Sequence, residues 1–225
     1  MGSITTLTLY TFTKNKFWAF QQMGKIPIKE NEISGLTFFK FLGTGGAKGF
    51  SLWPDFNTYA FLGVWESVAS FERCMKQHHV FLRYKNKSSI QRTFLLKPIK
   101  SHGKWSGINP FEGNQYDEKD EKLPVAVITR ATLRWTRLIS FWKSVPKAAK
   151  AIEEAKGVVF YKGIGEWPFV QQATISVWDN FESVQQFAYH NTTHSKIVTT
   201  TRKKKWYQED LFSRFILISD TISIK

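Results

Sequence analysis

The chain has 225 residues, 42% of them apolar and 22% charged, which leaves room for one sizeable core or two small ones. Its net charge of +14 favours anionic partners such as phosphate or acidic lipid headgroups, while the lack of zinc-finger spacing and of an RNP-type aromatic signature argues against nucleic acid. A single cysteine, Cys74, excludes an internal disulfide, and with no signal-peptide pattern and no apolar run near the ~18–20 residues of a membrane helix the expectation is a cytoplasmic protein, at most peripheral on the inner membrane surface.

In chain order, Ile4–Phe12 reads as a strand from its β-branched and aromatic content, Lys14–Gln22 as a helix, and Leu36–Leu42 and Tyr59–Trp65 as two further strands. Ser67 opens a helix whose Val68, Phe71, Cys74 and Met75 share a face, and Ile90–Pro98 closes the unit as a strand. The order β-α-β-β-α-β is that of a ferredoxin-like unit. A polar, Gly-rich stretch, 101–123, follows as a linker expected to cross the surface. The same order then returns: strand Val125–Arg130, helix Trp135–Ala155 interrupted near Pro146, strands Val158–Gly163 and Ala173–Trp178, helix Phe181–His190 and strand Phe212–Ser219.

The recurrence extends to residues. GLTFFKFLG at 35–43 matches GVVFYKGIG at 157–165, and the Val-Trp-acid ending at Trp65 returns at Trp178. Two copies of one unit are therefore fused, 1–100 and 124–225. Each copy leaves an apolar sheet face that its own helices cannot cover on both sides, so the expected fold is α+β: tandem ferredoxin-like repeats packed into one pseudo-symmetric barrel. Copy one carries extra residues between its second and third strands, TGGAKGFSLWPDF. Their glycines lack the GxxxxGK[ST] order of a phosphate loop and read as a hairpin loop.

Fused copies can become unequal, and histidine marks the difference. Aligned on the two tryptophans, His194 stands opposite Phe81 and His190 opposite Gln77. The HxxxH spacing lacks the glutamate of a zinc protease. A lone neutral imidazole over an aromatic cavity, with cations near, is what a haem iron requires. A surface or hydrogen-bonded histidine beside a helix end is the commoner case, and the residues alone leave both open. Aromatics at 16% would equally fill a core or wall a pocket for a greasy ligand. Cys74 reads as core, and no GxSxG elbow or paired carboxylate marks other chemistry. The run Arg202-Lys203-Lys204-Lys205 is either a solvated loop or, beside Trp206 and Tyr207, a contact for an anionic membrane.

Several stretches carry a family resemblance: FWAFQQMG (17–24), GLTFFKFLGTGGAKGF (35–50), HGKWSG (102–107), ITRATLRWTRLISFWKSVP (128–146), SVWDNFESVQQFAYHN (176–191) and TRKKKWYQEDLFSRF (201–215). In this order they resemble the spheroidene monooxygenases, the carotenoid 2-ketolases of purple bacteria. The resemblance implies a dimeric-type α+β barrel and an oxygen-dependent monooxygenase drawing on O2 and an electron donor, with a hydrophobic substrate such as a carotenoid. It also implies haem b, with His194 as axial ligand and His190 in reserve, and Arg130, Arg134, Arg202 and Arg214 as cations for the propionates or the pocket. The fold alone does not set the reaction. A non-catalytic module binding haem or another apolar ligand is the alternative.

Overall fold

The computed structural model describes residues 2–25, 27–29, 32–46, 51, 53–111, 122–189, 199–201 and 203–225, and the backbone of residue 190. The first repeat runs β1 (Ile4–Thr11), α1 (Lys16–Lys25), β2 (Leu36–Gly45), β3 (Pro54–Trp65), α2 (Val68–Gln77), α3 (His79–Lys87) and β4 (Ile90–Gly103). The second runs β5 (Val125–Leu133), a 3₁₀ turn at Trp135–Arg137, α4 (Leu138–Trp142), α5 (Val145–Glu153), β6 (Val158–Trp167), β7 (Gln171–Trp178), α6 (Phe181–Gln185), a π turn at Gln186–His190 and β8 (Tyr207–Ile224). Among the described residues the strands close one antiparallel barrel in the order β1-β3-β2-β6-β7-β5-β8-β4. The repeats meet at two seams, Gly43 opposite Gly165 and the long β4–β8 ladder from Ile90–Ile224 to Gly103–Leu211. The expected pseudo-symmetric barrel of tandem repeats is the fold found.

Alternation along each strand separates an interior from a helix-covered exterior. Leu7, Leu9, Leu62, Phe94, Ile128, Ile175 and Phe215 fill the barrel. Residues of the opposite parity meet the helices, in one cluster per repeat. Each repeat anchors its exterior with a buried tryptophan whose indole N–H is satisfied locally: Trp65 donates to Thr6 Oγ1 and Trp178 to Ser176 Oγ, both at 2.9 Å.

The helix after each tryptophan starts alike. Ser67 and Asn180 are N-caps, accepting from Ser70 N and Ser183 N. Opposite these caps stand Gly35 and Gly157, both with φ +80 and both so close to the capped turn that a Cβ would strike Ser70 or Ser183. Left-handed backbone and contact together demand glycine. Gly157→Ala is expected to destabilise the fold by about 2–3 kcal/mol, read from the urea midpoint; an unchanged midpoint would show that this turn rearranges freely.

Two expectations need correction. The 101–123 linker does not simply cross the surface: Ser101–Gly103 belong to β4, and Trp105 and Phe111 are fully buried in the barrel interior, against Phe38 at 5.9 Å and Phe215 at 5.1 Å. Two large rings within a polar stretch are enough to plug the barrel end. The interruption expected near Pro146 in the helix Trp135–Ala155 is found at Lys143–Ser144, so that Pro146 sits in the first turn of α5, where its missing N–H costs nothing. The helix read as Phe181–His190 keeps α geometry only to Gln185 and then widens into the π turn, a feature often found at functional sites. The 47–50 part of the first-copy insertion lies outside the described residues.

Candidate functional site

The register of the two repeats superimposes them residue for residue. With Ile4 opposite Trp65 and Val125 opposite Trp178, the pair Tyr10–Tyr59 corresponds to Ala131–Gln172, and Thr8–Phe61 to Thr129–Thr174. On the neighbouring strand, Phe41 opposite Phe61 corresponds to Gly163 opposite Thr174. Between sheet and helices the first repeat is filled with rings: Phe41 lies 5.0 Å from Phe61, Phe61 4.7 Å from Phe81, and Tyr10 5.1 Å from Tyr84. The second repeat replaces Tyr10, Phe41, Tyr59 and Phe61 by Ala131, Gly163, Gln172 and Thr174. The helices do not collapse onto this gap, and a cavity of about 640 Å³ opens there, well within the range of small-molecule sites. Gly163 borders a neighbouring space of about 70 Å³ that shares the Gln172–Thr174 wall.

Thr129, Ala131, Thr174 and Trp178 form the sheet side of the cavity, and Phe141, Ala148 and Ile152 of α4 and α5 the helix side. Phe187 and Ala188, on the π turn, close a third side. The polar atoms of the sheet are spent on each other, the Thr129 and Thr174 hydroxyls lying 2.6 Å apart, so the wall offered to a ligand is chiefly hydrocarbon. Charge gathers at the end where β5 terminates and β8 begins, with Arg134, Lys205, Tyr207 and Asp210. Arg134 Nε donates to the Tyr207 carbonyl at 3.2 Å. Burial pushes the Tyr207 phenol up from its ordinary value, and the Asp210 carboxylate adds to this against the opposing bond to Thr201. Tyr207 is therefore a neutral phenol across the physiological range.

The arginines expected to serve one site are divided. Arg134 lines the cavity. Arg130 is among the wall residues, but its guanidinium is engaged at the barrel mouth, paired with Glu209 and 3.7 Å from Glu166. Arg214 lies 3.9 Å over the Phe181 ring and is not among the cavity residues. His194 and Arg202 lie outside the described residues, as does the side chain of His190, whose backbone ends the π turn. Sequence reasoning missed the four size reductions and Lys205. The reductions were legible: the aligned segments FFKF and FYKG already show Phe41 against Gly163.

The barrel mouth holds a second polar cluster. Glu209 accepts from the Ser106 and Gly107 amides at 3.0 and 2.8 Å, and Glu166 from Trp105 Nε1 at 2.6 Å and from Lys40 at 2.7 Å. These bonds fasten the Trp105 plug to β2, β5, β6 and β8. Burial by itself raises Glu209, but the two amides and Arg130 outweigh it and hold its carboxyl below the usual range.

No profile of a known protein family matches the chain. Individual relatives do. The chain is 31% identical over 218 residues to the spheroidene monooxygenase of Cereibacter sphaeroides, covering 95% of this chain and 67% of that protein. The chain belongs to the spheroidene monooxygenase family. The Rhodobacter capsulatus member is 29% identical over 217 residues, covering 96% of this chain and 90% of that protein. Among solved structures, an aldoxime dehydratase superposes with TM-score 0.64 at 9% identity, covering 98% of this chain and 83% of that one. A second, in complex with butyraldoxime, gives 0.59 at 10% identity, covering 98% and 81%. At such identity these two show the shared fold alone. Within the spheroidene monooxygenase fold described here, the open layer of the second repeat is the candidate site.

Proposed function

We propose that the chain is a monooxygenase acting on a carotenoid, with the second-repeat cavity as its site and haem b as its cofactor. The observation that carries this reading is the unequal filling of two otherwise matched layers, in a chain related to spheroidene monooxygenases along nearly its whole length. The residues present suit a haem. The walls are apolar, Arg134 and Lys205 stand at one end as partners for carboxylates, and the volume suits a flat macrocycle. The chain also passes from cavity-lining Phe187 and Ala188 straight into the segment that carries His190 and His194.

His194 is the residue that would hold the haem iron. Its first-repeat counterpart, Phe81, packs on Phe61, and the counterpart of Phe61 is Thr174 on the cavity wall. Bound there, haem would supply O2 activation at iron. The protein's own part is to exclude water with the α4–α5 wall, to hold anionic groups at Arg134 and Lys205, and to keep Tyr207 a neutral hydrogen-bonding phenol. A carotenoid is far longer than this cavity, so only one end of the polyene enters, which suits oxidation near a chain terminus.

The test is reconstitution with hemin, followed by turnover of spheroidene with a reductant and isotopically labelled O2. Wild type is expected to give a Soret band and labelled ketone or alcohol; His194→Ala is expected to lose or markedly shift the band. An unchanged spectrum in His194→Ala removes this ligand and moves the test to His190→Ala. No hemin binding by wild type removes haem, and unlabelled product removes the oxygenase reading.

A further inference from the structure

The cavity's charged end is framed by a surface with an unusual composition. Trp135 is 65% exposed and Ile139 75% exposed, on the turn and helix that follow β5. The β6–β7 hairpin adds Trp167 at 62% and Phe169 at 41%. Its tip is docked on α4, since Trp142 Nε1 donates to the Phe169 carbonyl at 3.0 Å and the two rings lie 6.0 Å apart. Phe141, next to Trp142, is itself a cavity residue and packs edge-on to Trp206 at 5.7 Å. The exposed Ile139 and the cavity-lining Phe141 therefore share the short helix α4, with Trp135 on the turn that leads into it and Phe169 docked against it. Contiguous large apolar side chains left in water mark a contact surface.

Cations predominate on this surface, although the exposed Asp210 lies at the cavity's end and Glu153 and Glu154 follow at the far end of α5. From 134 to 152 the sequence holds Arg134, Arg137, Lys143, Lys147 and Lys150 and no Asp or Glu, and all five cations are exposed. Lys203, Lys204 and Lys205 stand beside them, with Lys204 Nζ 3.4 Å from Ser140 Oγ of α4. Among the described residues, Arg134, Arg137, Lys143 and Lys147 form no ion pair. The nearby carboxylates Glu166 and Glu209 are turned inward and engaged by Lys40 and Arg130.

We propose that this rim, formed by the Trp135 turn, α4, the β6–β7 hairpin tip and the 203–205 cations, docks on an anionic lipid bilayer. Tryptophans and an isoleucine among cations match the interfacial zone, where rings sit at headgroup level and each cation gains from acidic lipid. A second copy of this chain is the poorer occupant. A two-fold contact through this face would set its cations against each other in a protein already at +14. Docking would place the cavity at the lipid surface, so that one end of an apolar chain enters while the remainder stays in hydrocarbon. This delivery role rests on the carotenoid reading; the docking itself does not.

The experiment is vesicle flotation of the full chain with phosphatidylcholine vesicles and with vesicles containing phosphatidylglycerol. Two variants are compared, Trp135→Glu/Ile139→Glu and Arg137→Gln/Lys143→Gln, each checked for an unchanged melting temperature. None of these four residues lines the cavity. Wild type is expected to float with the anionic vesicles only and to be released at high salt, where screening shrinks to about 3 Å. The Arg137→Gln/Lys143→Gln variant should bind about thirtyfold more weakly, from two lost cations, and the glutamate variant should not float. Turnover of detergent-dispersed carotenoid should be unchanged in both. Wild type failing to float, or variants floating like wild type, overturns the docking even when detergent turnover persists. A wild-type dimer in solution that the glutamate variant breaks assigns the face to self-association and also overturns it. Flotation as expected without turnover leaves docking standing and sinks the oxygenase reading.

Discussion

Refilling the second-repeat layer with the first repeat's own side chains is expected to abolish ligand binding without unfolding the protein. Ala131→Tyr with Thr174→Phe restores the rings that Tyr10 and Phe61 supply in copy one, at positions the strand register makes equivalent. The new rings enter space that is now empty and add buried apolar area worth about 25 cal/mol per Å², which offsets the lost Thr129–Thr174 hydroxyl bond. Stability should be unchanged or higher. A ligand that must share the cavity then meets overpacking of about 3 kcal/mol, at least a hundredfold in affinity. Hemin titration and carotenoid turnover measure the loss. Binding at wild-type affinity in a folded double variant would show that the ligand lies elsewhere.

The second large effect is an asymmetry in stability at the barrel mouth. Arg130 is 3% exposed, and its guanidinium rests mainly on Glu209, with Glu166 farther off. Glu209→Ala leaves a buried cation with the weaker partner and strips the Ser106 and Gly107 amides of their acceptor. The expected loss is about 3 kcal/mol, the low end for a broken buried pair because Glu166 remains. Arg130→Met should cost less than half as much, since Glu209 keeps its two amides and Glu166 keeps Lys40 and Trp105. The folded-state carboxyl of Glu209 is held low, so its contribution is complete above the ordinary carboxylate range and is lost as pH falls through the lowered value. The difference between wild type and Glu209→Gln in urea melts should therefore shrink on acidification. Equal costs for Glu209→Ala and Arg130→Met, or a difference that ignores pH, would show that the mouth is held by packing alone.

The barrel itself was readable from residues. Duplicated Val-Trp-acid endings, the paired Gly35 and Gly157, and matching caps at Ser67 and Asn180 are local requirements, and a local requirement leaves its mark on a short stretch of sequence. Errors arose where distant partners decide the outcome. The sequence places the last strand at Phe212–Ser219, yet β8 begins at Tyr207: the polar Gln208-Glu209-Asp210 run is paired with β5, and the Glu209 carboxylate is held by the amides of the Trp105 turn and by Arg130, far away in the chain. Trp105 and Phe111 likewise looked like parts of a polar linker until the open end of the barrel supplied a place for them.

The sequence by itself determined that the protein is a fused pair of β-α-β-β-α-β units, that its surface is basic, and that the second unit differs from the first. Periodicity, turn residues and composition act within a few residues of one another, so they can be read without coordinates. Tertiary structure alone decided where that difference becomes a space. Ala131, Gly163, Gln172 and Thr174 are unremarkable singly, and lie on three strands that only register brings side by side. It also decided which way each arginine faces: Arg130 into the barrel and Arg134 onto the cavity, although both precede a small or aromatic residue in the same strand-and-turn segment. The two have the same parity and part company because β5 ends at Leu133, so that Arg134 follows the turn rather than the sheet; parity itself has a meaning only once the barrel has an inside.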